Sequence, residues 1–412
     1  MKSLPSVRRA DRWVLFFVAV AGAMLATGVD ASPLGEIALR YFDPDILARG
    51  KAYRHFFYLL FFVQSGLTLL ALGWFAARPP VRLGRRFLAA FGGSTAATRA
   101  ALLSMLVASL ALLRLPFSVA RYHHAHTYGL RHDTLGAFLL DWSKGTLLHW
   151  ILVLILGTIL LGLFGARRRT WWLAAGALVG ALGAAYAFLA PMVIDPLFTP
   201  MHRLPPSDLT SEILRLSRRG GVPVGEVWVA AASRRTRAVN AYFTGFGPSR
   251  RIVLYDTLLA TMTPAEVRMV VAHEIGHWSR HHLVRGLVLA TLGTWVGLGL
   301  LHAATTRRRP GTGPRSLGLG RRDPLLVFPA YAIYATAVLA TLPLVNGISR
   351  TMEAEADRTA LSLTRDPDTF VRTKVKMSRT NLSDVAPPRW IELVLFTHPA
   401  TARRLAMAEA FR

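Results

Sequence analysis

The chain has 412 residues, of which 52% are hydrophobic and 17% charged, whereas about a quarter of an ordinary soluble domain is charged; this composition excludes a soluble protein and favours a membrane protein. The net charge is +26, which in so apolar a chain indicates arginine-rich loops against anionic lipid headgroups, so we predict membrane lipid and no nucleic acid as partner. Cysteine is absent, which excludes disulfides and thiolate chemistry and leaves histidine and carboxylates to hold any metal.

Seven stretches are long and apolar enough to cross a membrane, since a span needs about 20 predominantly apolar residues. They are residues 13–29, 56–76, 101–120, 145–165, 171–194, 283–304 and 325–345. The first follows a basic start, so a cleaved signal peptide is the alternative for it.

Two parts of the chain, residues 195–282 and 346–412, lack the composition of spans. In the first part, the pattern predicts an amphipathic helix over Asp208–Arg219 and strands over Glu226–Ala230 and Arg251–Tyr255. Two linkers rich in Arg, Gly and Pro, residues 78–99 and 305–322, are predicted to be solvated loops.

Arginine-rich segments fall on one side of a seven-span chain. These are the amino terminus, residues 78–99, 167–169 and 307–322. The positive-inside rule makes this side cytoplasmic and places both soluble parts outside.

A helix that carries two metal-binding side chains is predicted to begin at Thr263. Thr263 and Glu266 form a capping box, and Pro264 occupies the first helical position. On this helix His273 and His277 are four residues apart, so both imidazoles lie on one face and can reach the same ion.

Glu274 follows the first of these histidines and would point to a water held by the ion. A hydrolytic zinc site needs a third protein ligand. His281 lies eight residues beyond His273, about 12 Å along the helix axis, which is too far for both to bind one ion.

Glu353 and Asp357 share a face of a later helix. Glu353 can complete the ligand set, and Asp357 can accept the remaining N–H of a ligand histidine.

These residues resemble a known family. The sequence HEIGHW at residues 273–278, with Asn346, Ser349, Arg350, Glu353 and Asp357, is similar to the HExGHW and NxxSRxxExxAD motifs of the type I CAAX prenyl proteases, integral-membrane zinc metallopeptidases of the gluzincin type. Residues 240–247 and 251–259, His398-Pro399 with Arg404, and residues 128–130 with Asp141 and Lys144 also resemble that family. Ala400 and Leu130 depart from its pattern, and neither is a predicted ligand.

The resemblance implies a mainly α-helical, polytopic fold with about seven spans that enclose a chamber, and a zincin-like α+β peptidase domain. We divide the chain into an amino-terminal membrane region (1–195), a catalytic segment (196–282), a membrane hairpin (283–345) and a second catalytic segment (346–412). The orientation known for eukaryotic members places catalysis on the cytosolic side, which disagrees with the charge distribution and leaves the side open.

The resemblance also implies roles for individual residues. One zinc ion is held by His273, His277 and Glu353, and Glu274 acts as the general base. His398 stabilises the oxyanion, its alternative being a capping histidine.

Further predicted contacts surround that centre. Asp357, Asn346 and Arg350 support the ligands. Asn240, Ala241, Tyr242 and Phe243 form an edge strand that pairs with an extended substrate, unless the strand is internal. Arg404 binds the substrate carboxylate, or else pairs with a nearby acid.

The predicted function is a zinc metalloendopeptidase that cuts near the carboxy terminus of membrane-associated peptides or proteins, with or without an attached lipid. A membrane quality-control zinc protease is the alternative within the enzyme class. A transporter or an inactive scaffold is the alternative outside it. Because arginine greatly exceeds lysine, we expect a bacterial cell membrane as the location.

Overall fold

The computed structural model describes residues 33–166, 169–244, 250–306 and 320–412. The first predicted span, residues 13–29, lies outside these residues, as does most of the linker 305–322.

Helices make up most of the described chain. In the amino-terminal half they are α1 Pro33–Tyr41, α2 Pro44–Ala77, α3 Val81–Ala90, α4 Thr95–Thr127, α5 Leu135–Gly165, α6 Trp171–Leu189 and α7 Asp195–Phe198. In the carboxy-terminal half they are α8 Asp208–Arg219, α9 Asp256–Thr261, α10 Pro264–Ser279, α11 His282–Thr306, α12 Val327–Thr364, α13 Pro367–Thr380, α14 Arg389–Leu395 and α15 Thr401–Glu409. A π-helical turn, Ala190–Ile194, joins α6 to α7, and a 3-10 turn, Pro324–Leu326, leads into α12.

Six of the described helical segments are long and apolar enough to cross a membrane. They are Pro44–Ala77, Thr95–Thr127, Leu135–Gly165, Trp171–Phe198, His282–Thr306 and Pro324–Thr364. Each of the other six predicted stretches lies within one of these segments, which confirms a polytopic, mainly helical fold. The helix α12 is 38 residues long, and it continues from its apolar half directly into the predicted metal-binding segment.

The prediction of a solvated loop at residues 78–99 is wrong. Helix α3 fills most of this segment, and Phe87 packs against a buried cluster that includes Phe328. Gly84 lies so close to Leu325 that a Cβ would stand 2.9 Å from its side chain. The arginines on the exposed face of α3 dominate the composition and conceal this apolar contact.

A four-stranded sheet contains β1 Met201–Arg203, β2 Glu226–Ala230, β3 Ala241–Thr244 and β4 Arg251–Tyr255 in the order β1-β2-β4-β3. The β2–β4 pair is parallel, and the other two pairs are antiparallel. The predicted strands β2 and β4 and the predicted helix α8 are confirmed at their predicted bounds.

The soluble core packs this sheet against α10. Ile252 and Leu254 of β4 and Val271 and Ile275 of α10 are fully buried in one cluster. The helix begins with the predicted capping box, in which the Glu266 backbone N–H donates to Thr263 Oγ1 and the Thr263 N–H donates to the Glu266 carboxylate. This packing fixes the face of α10 that carries the histidines.

Candidate active site and metal centre

Three potential metal ligands converge where α10 crosses α12. His273 Nε2 and His277 Nε2 are 3.2 Å apart. Each also lies 3.2 Å from one carboxylate oxygen of Glu353. Ligand atoms held 2.0–2.2 Å from a tetrahedral zinc are about 3.3 Å from one another. The spacing of the three side chains therefore fits a zinc ion.

The local chemistry also favours a cation. His273 and Glu353 are buried. The Nε2 atoms of His273 and His277 face both each other and the Glu353 carboxylate. A buried negative charge is costly unless a positive charge compensates it, and two imidazole nitrogens cannot both donate to each other. A metal ion between them would satisfy all three groups.

The helices approach closely enough to bring these ligands together because Gly276 has no side chain. A Cβ at this position would stand 2.8 Å from both the Cα and the carbonyl oxygen of Ala356. Gly276 precedes His277 on α10, and Ala356 lies between the predicted ligand Glu353 and Asp357 on α12.

Asp357 lies behind the first histidine, as predicted. Its Oδ1 atom is 2.8 Å from His273 Nδ1, and the side chain is fully buried. Arg404 donates two hydrogen bonds to this carboxylate, at 2.6 and 2.7 Å, and Lys374 Nζ lies 3.2 Å from it. The structure thus pairs Arg404 with an acid, which was the alternative to its predicted role as a substrate ligand.

A second chain of contacts lies behind the other histidine, and the sequence analysis missed it. His282 Nδ1 lies 3.0 Å from His277 Nδ1, and His282 Nε2 lies 3.0 Å from Glu355 Oε2. Arg285 Nη1 donates to the same carboxylate at 2.6 Å. If the Nε2 atom of His277 faces a metal, its Nδ1–H must donate to His282, which in turn donates to Glu355.

His282 becomes adjacent to His277 through a break between α10 and α11. The intervening His281 has a positive φ of 55°, which turns the chain before α11 begins. The spacing of five residues gives no helical periodicity that would place His282 beside His277.

Glu274 lines the same cavity as His273 and Glu353. Burial raises the pKa of the Glu274 carboxyl. The side chain is thus placed beside the three ligands, where a general base is expected.

His398 is brought to the metal ligands by the segment that follows α14. Its Nδ1 atom lies 2.8 Å from Glu353 Oε2, and its side chain remains 57% exposed.

Asn346 Nδ2 donates to the carbonyl of Val394 at 2.6 Å. Arg350 Nη1 donates to the carbonyls of Glu392 and Phe396 at 2.8 and 2.7 Å. The two α12 side chains thus donate to backbone carbonyls at the carboxyl end of α14.

Asn346 and Arg350 therefore contact the end of α14, which leads to His398, rather than the ligands themselves. Arg350 was predicted to support the ligands, and the structure places its guanidinium group against the carbonyl oxygens of Glu392 and Phe396.

The predicted substrate strand is β3, which begins at Ala241. It lies at the edge of the sheet, and among the described strands only β4 pairs with it. Asn240 lines the cavity that contains the ligands. The Tyr242 hydroxyl donates to Asp195 at 3.3 Å, and the ring of Phe243 stacks on Trp278 with centroids 4.7 Å apart. Only the first of the four predicted residues therefore faces this cavity.

A chamber of about 1160 Å³ contains the site. Membrane helices α2, α4 and α5 line it together with the soluble segments, through residues such as Tyr58, Arg121 and Trp142. Three of the described membrane helices thus contribute to the wall of this chamber.

Comparison with known families identifies the chain. The family model described as "Peptidase family M48" matches residues 204–412, which are just over half of the chain. The chain belongs to peptidase family M48. A second family model, described as "CAAX prenyl protease N-terminal, five membrane helices", matches residues 51–200 of this M48 peptidase. The predicted family and the predicted metalloprotease activity are thereby confirmed.

Individual relatives cover most of the same chain. An uncharacterized metalloprotease of Bacillus subtilis, YhfN, is 28% identical over 359 residues, which are 85% of this chain and 80% of that protein. The CAAX prenyl protease 1 homolog of Oryza sativa is 29% identical over 302 residues, 72% of this chain and 69% of that protein. The crystal structure of S. mikatae Ste24p shares the fold, with a TM-score of 0.77 and 21% identity over 98% of this chain and 99% of that chain.

Proposed function

We propose that this M48 peptidase is a zinc-dependent endopeptidase with one zinc ion per chain, held by His273, His277 and Glu353. We further propose that it cuts peptide bonds near the carboxy terminus of membrane-associated substrates. The observation that carries this proposal is the close approach of the three side chains, in which the two histidine Nε2 atoms lie 3.2 Å apart and each lies 3.2 Å from one Glu353 oxygen, in a chamber that membrane helices help to form.

The residues around the ligands have distinct tasks in this reaction. A zinc ion held by His273, His277 and Glu353 would supply a Lewis acid, which would polarise the scissile carbonyl and lower the pKa of a water molecule. The Glu274 carboxylate accepts a proton from the attacking water and delivers it to the leaving amine. His398 donates a hydrogen bond to the oxygen that becomes negative. Asp357 keeps the ring of His273 oriented through its Nδ1 atom.

Substrate peptide is proposed to lie along β3, beginning at Asn240. One edge of this strand is not paired with any other described strand, which supports pairing with an extended chain in which backbone hydrogen bonds provide affinity. The chamber wall supports a lipidated substrate, because aromatic side chains of membrane helices, including Phe57, Phe138 and Trp142, line it. The name of the Oryza sativa relative, CAAX prenyl protease 1 homolog, supports the same substrate class.

The proposed location is a bacterial cell membrane. The excess of arginine over lysine supports it, and one similar protein comes from Bacillus subtilis. The division of the chain into membrane and catalytic segments remains part of the proposal, as does the side of the membrane on which the chamber opens.

Cleavage of a farnesylated CAAX peptide and of its unprenylated twin by the full chain in detergent tests the function. We expect zinc-dependent cleavage of the lipidated peptide. Glu274→Ala should lower kcat on the order of 10²–10⁴-fold, the usual contribution of a positioned acid or base, while the variant retains its zinc. Glu36→Ala, an exposed position on α1, provides the control and should cleave as the wild type does.

The outcomes separate the chemistry from the substrate. Normal turnover by Glu274→Ala would refute its assignment as the base. Cleavage of the unprenylated peptide alone would retain the zinc chemistry and refute the lipidated substrate. Cleavage of unfolded membrane proteins but of neither peptide would favour a quality-control protease.

A further inference from the structure

A second cavity of about 300 Å³ adjoins the chamber inside the membrane-spanning bundle, and we refer to it as the side cavity. Helices α2, α4, α5 and α12 line it. Ser118, Arg121 and Trp142 line both the side cavity and the chamber. The side cavity is therefore reached from the space that contains the proposed zinc site.

The side cavity is positively charged. Arg114 and Arg121 lie seven residues apart on α4, which places them on one face and roughly 10 Å apart along the axis. His149 of α5 also lines the side cavity, and no Asp or Glu is among its lining residues in the described part of the chain.

Neither arginine has an acidic partner among the described residues. Arg121 Nη2 donates to the neutral Gln64 side chain at 2.7 Å. The buried Nε–H of Arg114 has no acceptor in the described parts of the chain. Unpaired positive charge in a low-dielectric interior is costly unless water or an anion neutralises it.

Most other cationic side chains around the chamber are already paired. Arg131 contacts Asp133 at 2.5 Å and Arg235 contacts Asp141 at 2.9 Å. Arg54 donates to two backbone carbonyls, at 3.1 Å each. Lys374 and Arg404, as described above, contact Asp357. Among the described arginines and lysines that line the chamber, Arg54 and Arg121 thus have neutral hydrogen-bond partners, and of these two Arg121 also lines the side cavity.

The depth of the side cavity indicates which anion can reach it. Arg114 is 19 residues from the start of α4 and 13 residues from its end, or about 28 and 20 Å along the axis. Since the hydrocarbon core is about 30 Å thick, lipid phosphates lie near the helix ends rather than at this depth. An anionic group on a molecule that enters through the chamber can reach it.

We propose that the side cavity binds the free carboxylate at the carboxy-terminal end of the peptide substrate, with Arg121 as the first contact and Arg114 behind it. The guanidinium group suits this ligand because its parallel N–H donors match the two oxygens of a carboxylate. This inference rests on the proposed function. It gives a physical basis for cutting near the carboxy terminus, because the bound end fixes how far the chain extends past the proposed zinc site.

Two peptides that differ only in their last group test the proposal: one ends in a free carboxylate and the other in a carboxamide. For the wild-type full chain in detergent, we expect amidation to raise KM about tenfold or more, the size of a charge-assisted contact. In Arg121→Gln the two peptides should differ less than threefold, because the group that distinguishes them is gone. Arg82→Gln, which removes an exposed arginine from α3, is the matched control and should retain the wild-type preference.

A binding measurement keeps this test independent of catalysis. Fluorescence anisotropy of the two labelled peptides with the Glu274→Gln protein should show the same preference of about tenfold for the free carboxylate. Equal binding of both peptides would overturn the inference, as would a wild-type preference that persists in Arg121→Gln. If the wild-type chain cleaves neither peptide but still binds the free acid more tightly, the proposed activity fails and the carboxylate site stands.

Discussion

Replacement of His282 by asparagine is expected to weaken zinc binding while leaving the fold intact. The His282 imidazole connects the Nδ1 atom of His277 to the carboxylate of Glu355, with 3.0 Å on each side. Asparagine is shorter and cannot span both contacts. The ring of His277 would then lose the acceptor that fixes its orientation and its tautomer.

The size of the effect follows from what such outer contacts contribute. Removing a partner of a ligand histidine typically weakens metal affinity about 10- to 100-fold, which corresponds to about 1.4 to 2.7 kcal/mol. His282 is 5% exposed at its side chain, so water does not readily replace it. We therefore expect a zinc Kd at least about tenfold weaker than that of the wild type.

Competition with a chelating dye on the detergent-solubilised full chain measures this Kd directly. His281→Asn is the matched control, because His281 is exposed and its φ of 55° suits asparagine. A change of less than threefold in His282→Asn, or an equal loss in both variants, would refute the role of the relay. Unchanged melting temperatures in the zinc-free proteins would show that the effect is not general unfolding.

Two further predictions concern stability. Gly276→Ala should destabilise the folded chain by about 1–3 kcal/mol through overpacking against Ala356, whereas Gly286→Ala, with no atom within 4 Å of its Cβ, should not; equal thermal unfolding of both variants would contradict the close helix contact. Burial raises the pKa of Asp384, beside Tyr58, to about 6, so the folded state holds this proton more tightly than the unfolded state. Stability should fall by roughly 3 kcal/mol as pH rises from about 3 to 7, and a pH series of melting temperatures should show this slope flattened in Asp384→Asn.

Local sequence patterns predict many of the helices and strands, because the formation of each depends mainly on residues that are close together in the chain. The capping box at Thr263 and Glu266 needs only a spacing of three residues. Strand β4 needs only five residues of suitable type. The apolar spans likewise follow from length and composition. The segment 78–99 was misread because the contact between Phe87 and the distant α12 region decides its structure.

In the candidate site, too, local sequence patterns predict some contacts and not others. Helical periodicity places His273 and His277 on one face of α10 and places Glu353 and Asp357 on one face of α12. It cannot show that a turn at His281 returns the next histidine to the metal centre. Nor can it show what a long side chain meets on another element, as with the contacts of Arg350 and Arg404.

The continuity of α12 links the membrane bundle to the chemistry. One unbroken helix carries Tyr331, which lines the side cavity, and Glu353, which lies 3.2 Å from both histidines. These residues are 22 positions apart, or about 33 Å along the axis. A displacement of the bundle along this axis would therefore move the third ligand relative to α10. Since a Cβ at Gly276 would stand only 2.8 Å from Ala356, α10 and α12 are already in close contact, and the bundle and the soluble core must keep a fixed separation for the three ligands to meet.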